Sequence, residues 1–431
     1  MAVKPQPFVP SLAAALTQAS TTPTARQIAR SSLLDTVACI TAGWTSPQQI
    51  AVRRSQDIAG PTGAAATALR LGTAAHALDY DDFEAPGSTH PSAVLVAVLL
   101  GLSAHHTVSI AQAEEAYVSG YRAILALGQG MRYDHYMAGW HATATLGSVG
   151  AAACSSWVLK LDAMQTGHAL SLAMTQAAGA KAQFGYDAKA VHAGLAARNG
   201  IEAAYLAAGG ITAAPDIYET AFAPLYGGAG HRFTNLPELE AYPPFRKLSP
   251  SCGYTLRAID AACDISGRVA AQDIAAIEIE MAEPYAQVVP FRSPKTPAEA
   301  RFSATWCVAS ALLDGHVGLA HFEAGALNNM RLHDVETKAK VIPYPLPDGA
   351  GDMAAIAPDR VRVIETGGQV HQVEVAVPRG APTRALDPFE LQAKLLDCGC
   401  DPIQISTFEK AAPDEAFAPG LILPSTLMAQ L

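Results

Sequence analysis

Apolar residues recur every three or four positions through most of the first 240 residues, and short polar stretches separate the apolar runs. This spacing predicts amphipathic or fully buried helices joined by short loops. Ser46-Pro47 predicts one helix start, because serine caps a helix and proline fits its first position. Helices are predicted to begin near residues 10, 24 and 47, and to span residues 64–78, 91–106, 110–130, 142–153, 165–180 and 190–209.

The pattern changes near residues 242–245, which read Tyr-Pro-Pro-Phe. Residues 274–281 then alternate apolar and polar side chains as a half-buried strand does, and Gly367-Gly368 separates two further strand-like runs as a hairpin turn would. Helices are predicted at residues 252–265 and 298–314, and at 388–396 after an Asp387 cap. The sequence therefore predicts a mainly α fold with a large all-helical domain (1–243), a smaller α+β domain (244–385) and a C-terminal return to the helical domain (386–431).

Composition indicates a protein with a large core and no nucleic-acid or membrane partner. Hydrophobic residues make up 50% of the 431 residues, charged residues make up 16%, and the net charge is −10. Nucleic acids and anionic membranes call for a basic surface, whereas a small anion needs only a local basic pocket. The N-terminus lacks a signal-type apolar core, and no apolar run has transmembrane length. The seven cysteines lack metal-finger spacing, so we expect reduced thiols, no bound metal and a cytoplasmic protein.

The most polar part of this apolar background is the segment of residues 76–92. It contains two histidines and four carboxylates between two apolar helices. Buried polar groups are costly unless they find partners or perform chemistry, so the segment is the first candidate for a functional site. We expect a helix to end near His76, a loop to open at residues 84–87 and a new helix to begin at Pro91.

Four other polar segments follow, and together with residues 76–92 they resemble the MmgE/PrpD family in order and approximate spacing. Each motif alone is weak, but five in order across residues 25–400 are a strong signal. Members of this family dehydrate, decarboxylate or epimerise small di- and tricarboxylates. The matching residues are His76-Ala-Leu-Asp79-Tyr-Asp81-Asp82 with His90-Pro91-Ser92, Gly139-Trp140-His141 with Thr143 and Gly147, Lys189 with His192, Gly194, Asn199 and Gly200, Lys247 with Pro250-Ser251-Cys252, and Ala300-Arg301-Phe302-Ser303 with Asp314-Gly315.

The resemblance implies a helical domain with a smaller α+β lid, usually in a homodimer. It also implies a site between the domains that needs no cofactor and is lined by Asp79, His90, His141, Lys189 and Lys247. Histidine suits proton transfer near neutral pH, so His90 and His141 are the leading acid–base candidates. The lysines would anchor substrate carboxylates, and Asp79 would orient a histidine or act as a further acid–base group. Additional substrate contacts are expected from Phe83, Ser251, Tyr254, Arg301 and Trp306.

Structural roles compete with functional ones at several polar residues. Asp81 and Asp82 are either helix-ending and capping groups or part of the site, and both interpretations stay open. We expect His76 to be a core histidine and His192 to have a structural or supporting role. No histidine lies at a sequence spacing that would indicate a cysteine–histidine pair with Cys252, which disfavours a nucleophilic thiol.

Several positions depart from the dehydratase and decarboxylase pattern of the family. Phe83 replaces a threonine, the loop to His90 is one residue longer, and Trp306 replaces a tyrosine that could serve as an acid. These differences favour epimerisation of an iminodisuccinate-like substrate. Dehydration of a 2-methylcitrate-like substrate, a cis-aconitate-type decarboxylation, a non-catalytic helical scaffold and a metal-dependent hydrolase using His76 and Asp79 remain alternatives.

Overall fold

The computed structural model describes residues 6–60, 62–228, 230–346 and 357–430. Residues 1–5 and 431, at the outer ends of the predicted terminal domains, lie outside the described part. Among the described residues, no helix combines the length and the hydropathy needed to cross a bilayer.

The first half of the described chain is almost entirely helical. Short turns join these helices, including a π-helical turn at Tyr218–Phe222. The helices are α1 (Phe8–Gln18), α2 (Pro23–Gly43), α3 (Pro47–Ala59), α4 (Ala64–His76), α5 (Pro91–Ser103), α6 (Ile110–Met137, interrupted at Arg132), α7 (Ala142–Val158), α8 (Ala163–Gln176), α9 (Ala188–Ala208) and α10 (Ala223–Leu225).

Helix α5 lies at the centre of the helical region. Every residue from Pro91 to Leu102 is buried, as expected for a helix that is apolar on all sides. Helices α4, α7 and α9 pack around it, and α9 also packs against both α4 and α7. Small residues permit this close approach: Gly72 of α4 faces Gly194 of α9, where a Cβ at position 72 would lie 2.8 Å from the Cα of Gly194.

The second half of the chain builds a four-stranded sheet with helices packed against it. The strand order is β2-β1-β3-β4; β1 pairs with β2 in parallel and with β3 antiparallel, and β3 and β4 form an antiparallel hairpin. Helix α11 packs on β3 and β4, and α14 packs on α11 and β2. The elements are β1 (Ile274–Ala282), β2 (Ala339–Tyr344), β3 (Asp359–Glu365), β4 (Val370–Val375), α11 (Leu256–Ile265), α12 (Glu283–Ala286), α13 (Pro297–Arg301), α14 (Ala304–Asp314) and α15 (Met330–Glu336).

The last helices return the chain to the helical region. They are α16 (Pro388–Asp397), α17 (Pro402–Lys410), α18 (Pro419–Ile422) and α19 (Ser425–Met428). Lys394 of α16 is fully buried, with its Nζ 2.8 Å from Asp35 Oδ1 in α2, and it donates to the backbone oxygen of Tyr80 at 2.8 Å. Phe83 and Phe245 exchange backbone hydrogen bonds of 3.1 and 2.7 Å, which joins the segment of residues 76–92 to the chain that enters the α+β region.

The predicted mainly α fold with a smaller α+β part is confirmed, while the domain boundaries at 243/244 and 385/386 stay predictions. Two local expectations were wrong. The helix predicted at 298–314 is broken between α13 and α14, because Ser303 leaves the helical conformation and caps α14 by accepting from the Trp306 amide at 3.2 Å. Strand β2 was missed because it contains Pro343, which is tolerated because β2 is an edge strand.

Gly72→Ala tests the close packing of α4 on α9. We expect the variant to lose about 2 kcal/mol of unfolding free energy, because the new methyl group meets backbone atoms that cannot move aside alone. Gly167→Ala in α8 is the matched control: its Cβ would meet only Ala13 at 3.8 Å, so a gain of about 0.5–1 kcal/mol is expected. Urea unfolding of both variants is the measurement, and equal stabilities would contradict the packing argument.

Candidate active site

The segment of residues 76–92 forms a compact loop between α4 and α5. The buried Glu84 carboxylate holds it together by accepting hydrogen bonds from the Gly87 amide and from the amide and hydroxyl of Thr89, at 2.8–3.1 Å. The loop returns the chain to Pro91, so that His90 precedes the first residue of α5. This arrangement agrees with the helix end, the loop and the helix start predicted for the segment.

Three helix N-termini converge on the site. His90 is the residue before α5, His141 is the residue before α7, and Lys189 is the second residue of α9. The positive end of a helix dipole favours a nearby anion. The fold therefore places two imidazoles and an ammonium group where a negatively charged ligand is stabilised.

Asp79 pairs with both candidate lysines. Its Oδ1 lies 2.7 Å from Lys247 Nζ and 3.3 Å from Lys189 Nζ, and its backbone oxygen accepts from Lys247 at 2.8 Å. Burial alone would raise the pKa of Asp79, but the two ammonium groups outweigh it and hold the pKa well below its usual range. Asp79 is therefore an ionised carboxylate that holds both lysines in place.

Asp81 contacts two histidines. Its Oδ2 lies 2.8 Å from His76 Nδ1 and 3.1 Å from His90 Nδ1, and His76 Nε2 accepts from Lys189 at 2.8 Å. Because Lys189 donates to Nε2, the proton of a neutral His76 is on Nδ1, facing Asp81. Burial lowers the pKa of His76 to about 3, in agreement with this neutral form. His90 Nδ1 also faces Asp81 Oδ2, at 3.1 Å, and its Nε2 lies on the cavity side, 3.8 Å from Asp79 Oδ1.

Asp82 has the capping role that was one of the two interpretations of these aspartates. It accepts from the amide of Ser92 at 3.3 Å and from its hydroxyl at 2.5 Å, in the first turn of α5. Burial raises the pKa of Asp82 to about 7, and the Ser92 hydrogen bond only partly offsets the increase. The adjacent aspartates thus face different surroundings: imidazoles at Asp81 and a helix end at Asp82.

His141 forms a second imidazole pair. Its Nδ1 lies 3.0 Å from His192 Nδ1, so one of these rings donates to the other, while its Nε2 is buried and has no hydrogen-bond partner among the described residues. Burial, followed by the charge of Lys189, lowers the pKa of His141 well below its usual value. Burial likewise lowers the pKa of His192 to about 4. This contact is compatible with the structural or supporting role expected of His192.

These groups surround a small, partly open cavity. Among the predicted site residues, Asp79, Phe83, His90, His141, Lys189 and Tyr254 line it. Lys247 lies behind Asp79, fully buried. The remaining lining residues, which the sequence did not single out as substrate contacts, are Ser88, Tyr136, Phe184, Cys252, Gly253 and Phe302. Each of them lies within or beside one of the polar segments, which is the signal that could have found them.

Three predicted substrate contacts lie away from the cavity lining. Trp306 is buried in the core of the α+β region, where its Nε1 donates to the backbone oxygen of His321 at 3.1 Å. Ser251 is bonded to the Thr255 hydroxyl at 2.9 Å, and Arg301 lines a neighbouring cleft. Cys252 does line the cavity, but burial raises the pKa of its thiol to about 12, which leaves it a poor nucleophile.

The cluster contains a donor set that could hold a metal ion. Ligand atoms of His76, Asp79, Asp81 and His90 lie within 4.8 Å of one another. The ammonium groups of Lys189 and Lys247 already contact His76 and Asp79, and they would repel a divalent cation. The donor set therefore fits a lysine-neutralised proton-transfer site better than the metal centre of a hydrolase.

The chain is similar in sequence to two domain models of one family and to several known proteins. Residues 11–228 match the model of the MmgE/PrpD N-terminal domain, and residues 249–406 match that of the MmgE/PrpD C-terminal domain. The chain is 27% identical over 306 residues to cis-aconitate decarboxylase from Homo sapiens. The aligned part covers 64% of this chain and 60% of that protein. It is 26% identical over 296 residues to the Mus musculus protein of the same name, covering 63% and 59%. A cis-aconitate decarboxylase-like protein, oryM, from Aspergillus oryzae is 30% identical over 229 residues, covering 48% and 47%.

Asp82→Asn tests the protonation state assigned to Asp82. Between its ordinary pKa of 3.8 and the raised value of about 7, folded Asp82 keeps a proton that the unfolded chain releases. Its contribution to wild-type stability therefore falls by about 1.36 kcal/mol per pH unit across this range and levels off above it. Asparagine does not titrate, so the unfolding free energy of Asp82→Asn should rise relative to wild type from pH of about 4 to about 7. Urea unfolding across this range checks it, and a pH-independent difference would be evidence against it.

Proposed function

The chain belongs to the MmgE/PrpD family, and on this premise we propose that it is an acid–base enzyme acting next to a carboxylate of a small di- or tricarboxylate. The observation that carries the proposal is that His90 and His141 border one cavity beside the Lys189 ammonium group. The matched curated relatives are aligned over about 60% of their length or less, so activity, substrate and partners are all part of the proposal. The homodimer and the cytoplasmic location remain predictions that rest on the family resemblance and on the sequence.

The formal charges of the side chains balance, so the three helix N-termini are what favour an entering anion. Two ammonium groups, Lys189 and Lys247, face two carboxylates, Asp79 and Asp81, while burial keeps the histidines neutral. A substrate carboxylate near Lys189 adds negative charge and raises the pKa of the neighbouring imidazoles. One histidine can then take up a proton and serve as the acid while the other remains a base.

Epimerisation is the first candidate reaction. His90 Nε2 takes the proton from the carbon next to a carboxylate, and the electron pair of the broken C–H bond passes into an enolate-like dianion. Lys189 and the helix N-termini stabilise this charge. A protonated His141 then returns a proton to the opposite face of the carbon, forming a new C–H bond. The Phe83 substitution and the longer loop to His90 favour this reaction, as in an iminodisuccinate-like substrate.

Decarboxylation is the second candidate, and the similarity to the human and mouse cis-aconitate decarboxylases favours it. Here a C–C bond breaks, CO2 leaves, and the electron pair remains as an enolate-like anion that one histidine protonates. Elimination of water remains a further alternative. The tyrosine replaced by Trp306 does not decide against it, because Trp306 lies away from the cavity, whereas Tyr136 and Tyr254 line it.

Exchange in D2O tests the function and distinguishes the reactions. Wild-type protein is incubated with a panel of dicarboxylates and tricarboxylates and followed by NMR. Deuterium at the carbon next to a carboxylate with an intact skeleton indicates epimerisation, a new alkene signal indicates elimination, and loss of CO2 indicates decarboxylation. His141→Gln should reduce the turnover at least about 100-fold, because an acid–base group typically contributes that much. His105→Gln, at an exposed position, is the control; normal turnover in His141→Gln would refute the assignment.

Asp81→Asn tests the role of Asp81 as a positioning residue. Burial lowers the pKa of His90, and the Asp81 carboxylate partly offsets this effect. The variant should lose about 100-fold in kcat/KM, and the acidic limb of its pH profile should move to lower pH because His90 loses its anionic partner. Asp82→Asn, which removes the adjacent carboxylate but no histidine contact, should keep the wild-type profile. Identical profiles of the two variants would contradict a specific role for Asp81.

A further inference from the structure

A second, wider cleft lies beside the catalytic cavity. It is lined by the start of α3, the residues leading into α9, helix α13 and residues 319–324, so both halves of the chain contribute to it. None of the candidate acid–base residues lines it. We call this cleft the antechamber.

The antechamber and the catalytic cavity share two walls. Phe184 and Phe302 line the cavity, whereas the residues next to them in the sequence, Gly185 and Arg301, line the antechamber. The two phenyl rings lie 5.4 Å apart, and each ring centroid lies 5.4 Å from Lys189 Nζ. The two rings thus lie beside Lys189, and each is next in sequence to a residue of the antechamber wall.

Arg301 is a cation without an ion pair among the described residues in the antechamber wall, and its guanidinium carbon lies 5.2 Å from the ring centroid of Phe322. It is 7% exposed, and its Nη1 donates to the backbone oxygen of Pro297 at 3.1 Å. Its Nε has no partner, and no carboxylate of the described residues forms an ion pair with it. Burial lowers the pKa of Arg301 to about 10, so it is still charged at neutral pH. An unpaired buried cation is costly to fold, which indicates a site that an anion completes.

The other polar groups of the antechamber are compatible with an anion. Helix α3, with thirteen residues, begins there at Pro47, and its positive dipole end adds to the charge of Arg301. Of the lining carboxylates, Asp187 is exposed and held by Gln48 Nε2 at 2.7 Å, and Glu323 is exposed to solvent. Solvent weakens the repulsion that these two groups exert, whereas the buried Arg301 is screened less.

We propose that the antechamber is a second binding site for a small carboxylate anion, in which Arg301 binds one carboxylate of the substrate before it passes Phe184 and Phe302 to Lys189. The identification of this anion as the substrate rests on the proposed function. The binding of a carboxylate by Arg301 does not, because it follows from the unpaired guanidinium and the space beside it.

Kinetics of Arg301 variants test the passage of substrate. Arg301→Gln should lower kcat/KM about tenfold, mainly through a higher KM, because one charge-assisted contact is lost before the chemical step. Arg301→Lys should recover part of this loss because it keeps the charge. Arg292→Gln is the matched control: it removes an exposed arginine of the same region that bonds to the backbone oxygens of Val289 and Phe291. It should retain wild-type kcat/KM.

Binding of tricarballylate, an unreactive tricarboxylate, tests the site without any turnover. Calorimetry should show two molecules per chain for wild type and one for Arg301→Gln. The thermal midpoint of Arg301→Gln should not fall, since an unpaired buried charge is removed. One tricarballylate per chain in both proteins, or a lower midpoint with unchanged kcat/KM, would overturn the proposal. Loss of the second molecule in a protein without turnover on any carboxylate would support the antechamber while the proposed function failed.

Discussion

The pairing of Asp79 with two buried lysines is the interaction on which the site depends. The backbone of Asp79 is left-handed, with φ of 52°, which lets its carbonyl and its carboxylate both face Lys247. Lys189 reaches the same carboxylate from α9. Burying two ammonium groups without this anion would be prohibitively unfavourable. One carboxylate therefore joins the loop after α4, the first turn of α9 and the chain entering the α+β region, and places the cavity where they meet.

The histidines are the groups of this cluster whose protonation state can change during a reaction. Lysine charges balance Asp79 and Asp81, and burial keeps the imidazoles neutral. His90 and His141 both precede a helix, where the dipole adds a positive potential. An anion entering the cavity reverses this balance and favours protonated imidazole. Binding of the substrate anion and protonation of a catalytic histidine are thereby linked electrostatically.

The positions that distinguish this chain from the expected dehydratase and decarboxylase pattern differ in their distance from the cavity. Phe83 lines the cavity, stacks on Phe245 with ring centroids 4.6 Å apart, and lies 6.2 Å from the His90 ring. The longer loop places Ser88, with φ of 54°, in the cavity wall. Both positions therefore influence what fits beside His90. Trp306 packs in the core of the α+β region and does not line the cavity, so this position does not shape the space beside His90.

The sequence alone determined the helices, the hairpin and the polar segments, because periodicity, caps and turn residues act over a few neighbouring positions. It could not show the break at Ser303 or the edge strand with Pro343, where a hydrogen bond or a position in the sheet overrides the local pattern. It also could not assign roles to neighbours as similar as Asp81 and Asp82, since their side chains face different surroundings. Only the tertiary structure brought His76 to Lys189, 113 positions away, and separated Arg301 from the cavity lined by Phe302. Long-range contacts of this kind depend on how the helices pack, and sequence spacing carries no record of that packing.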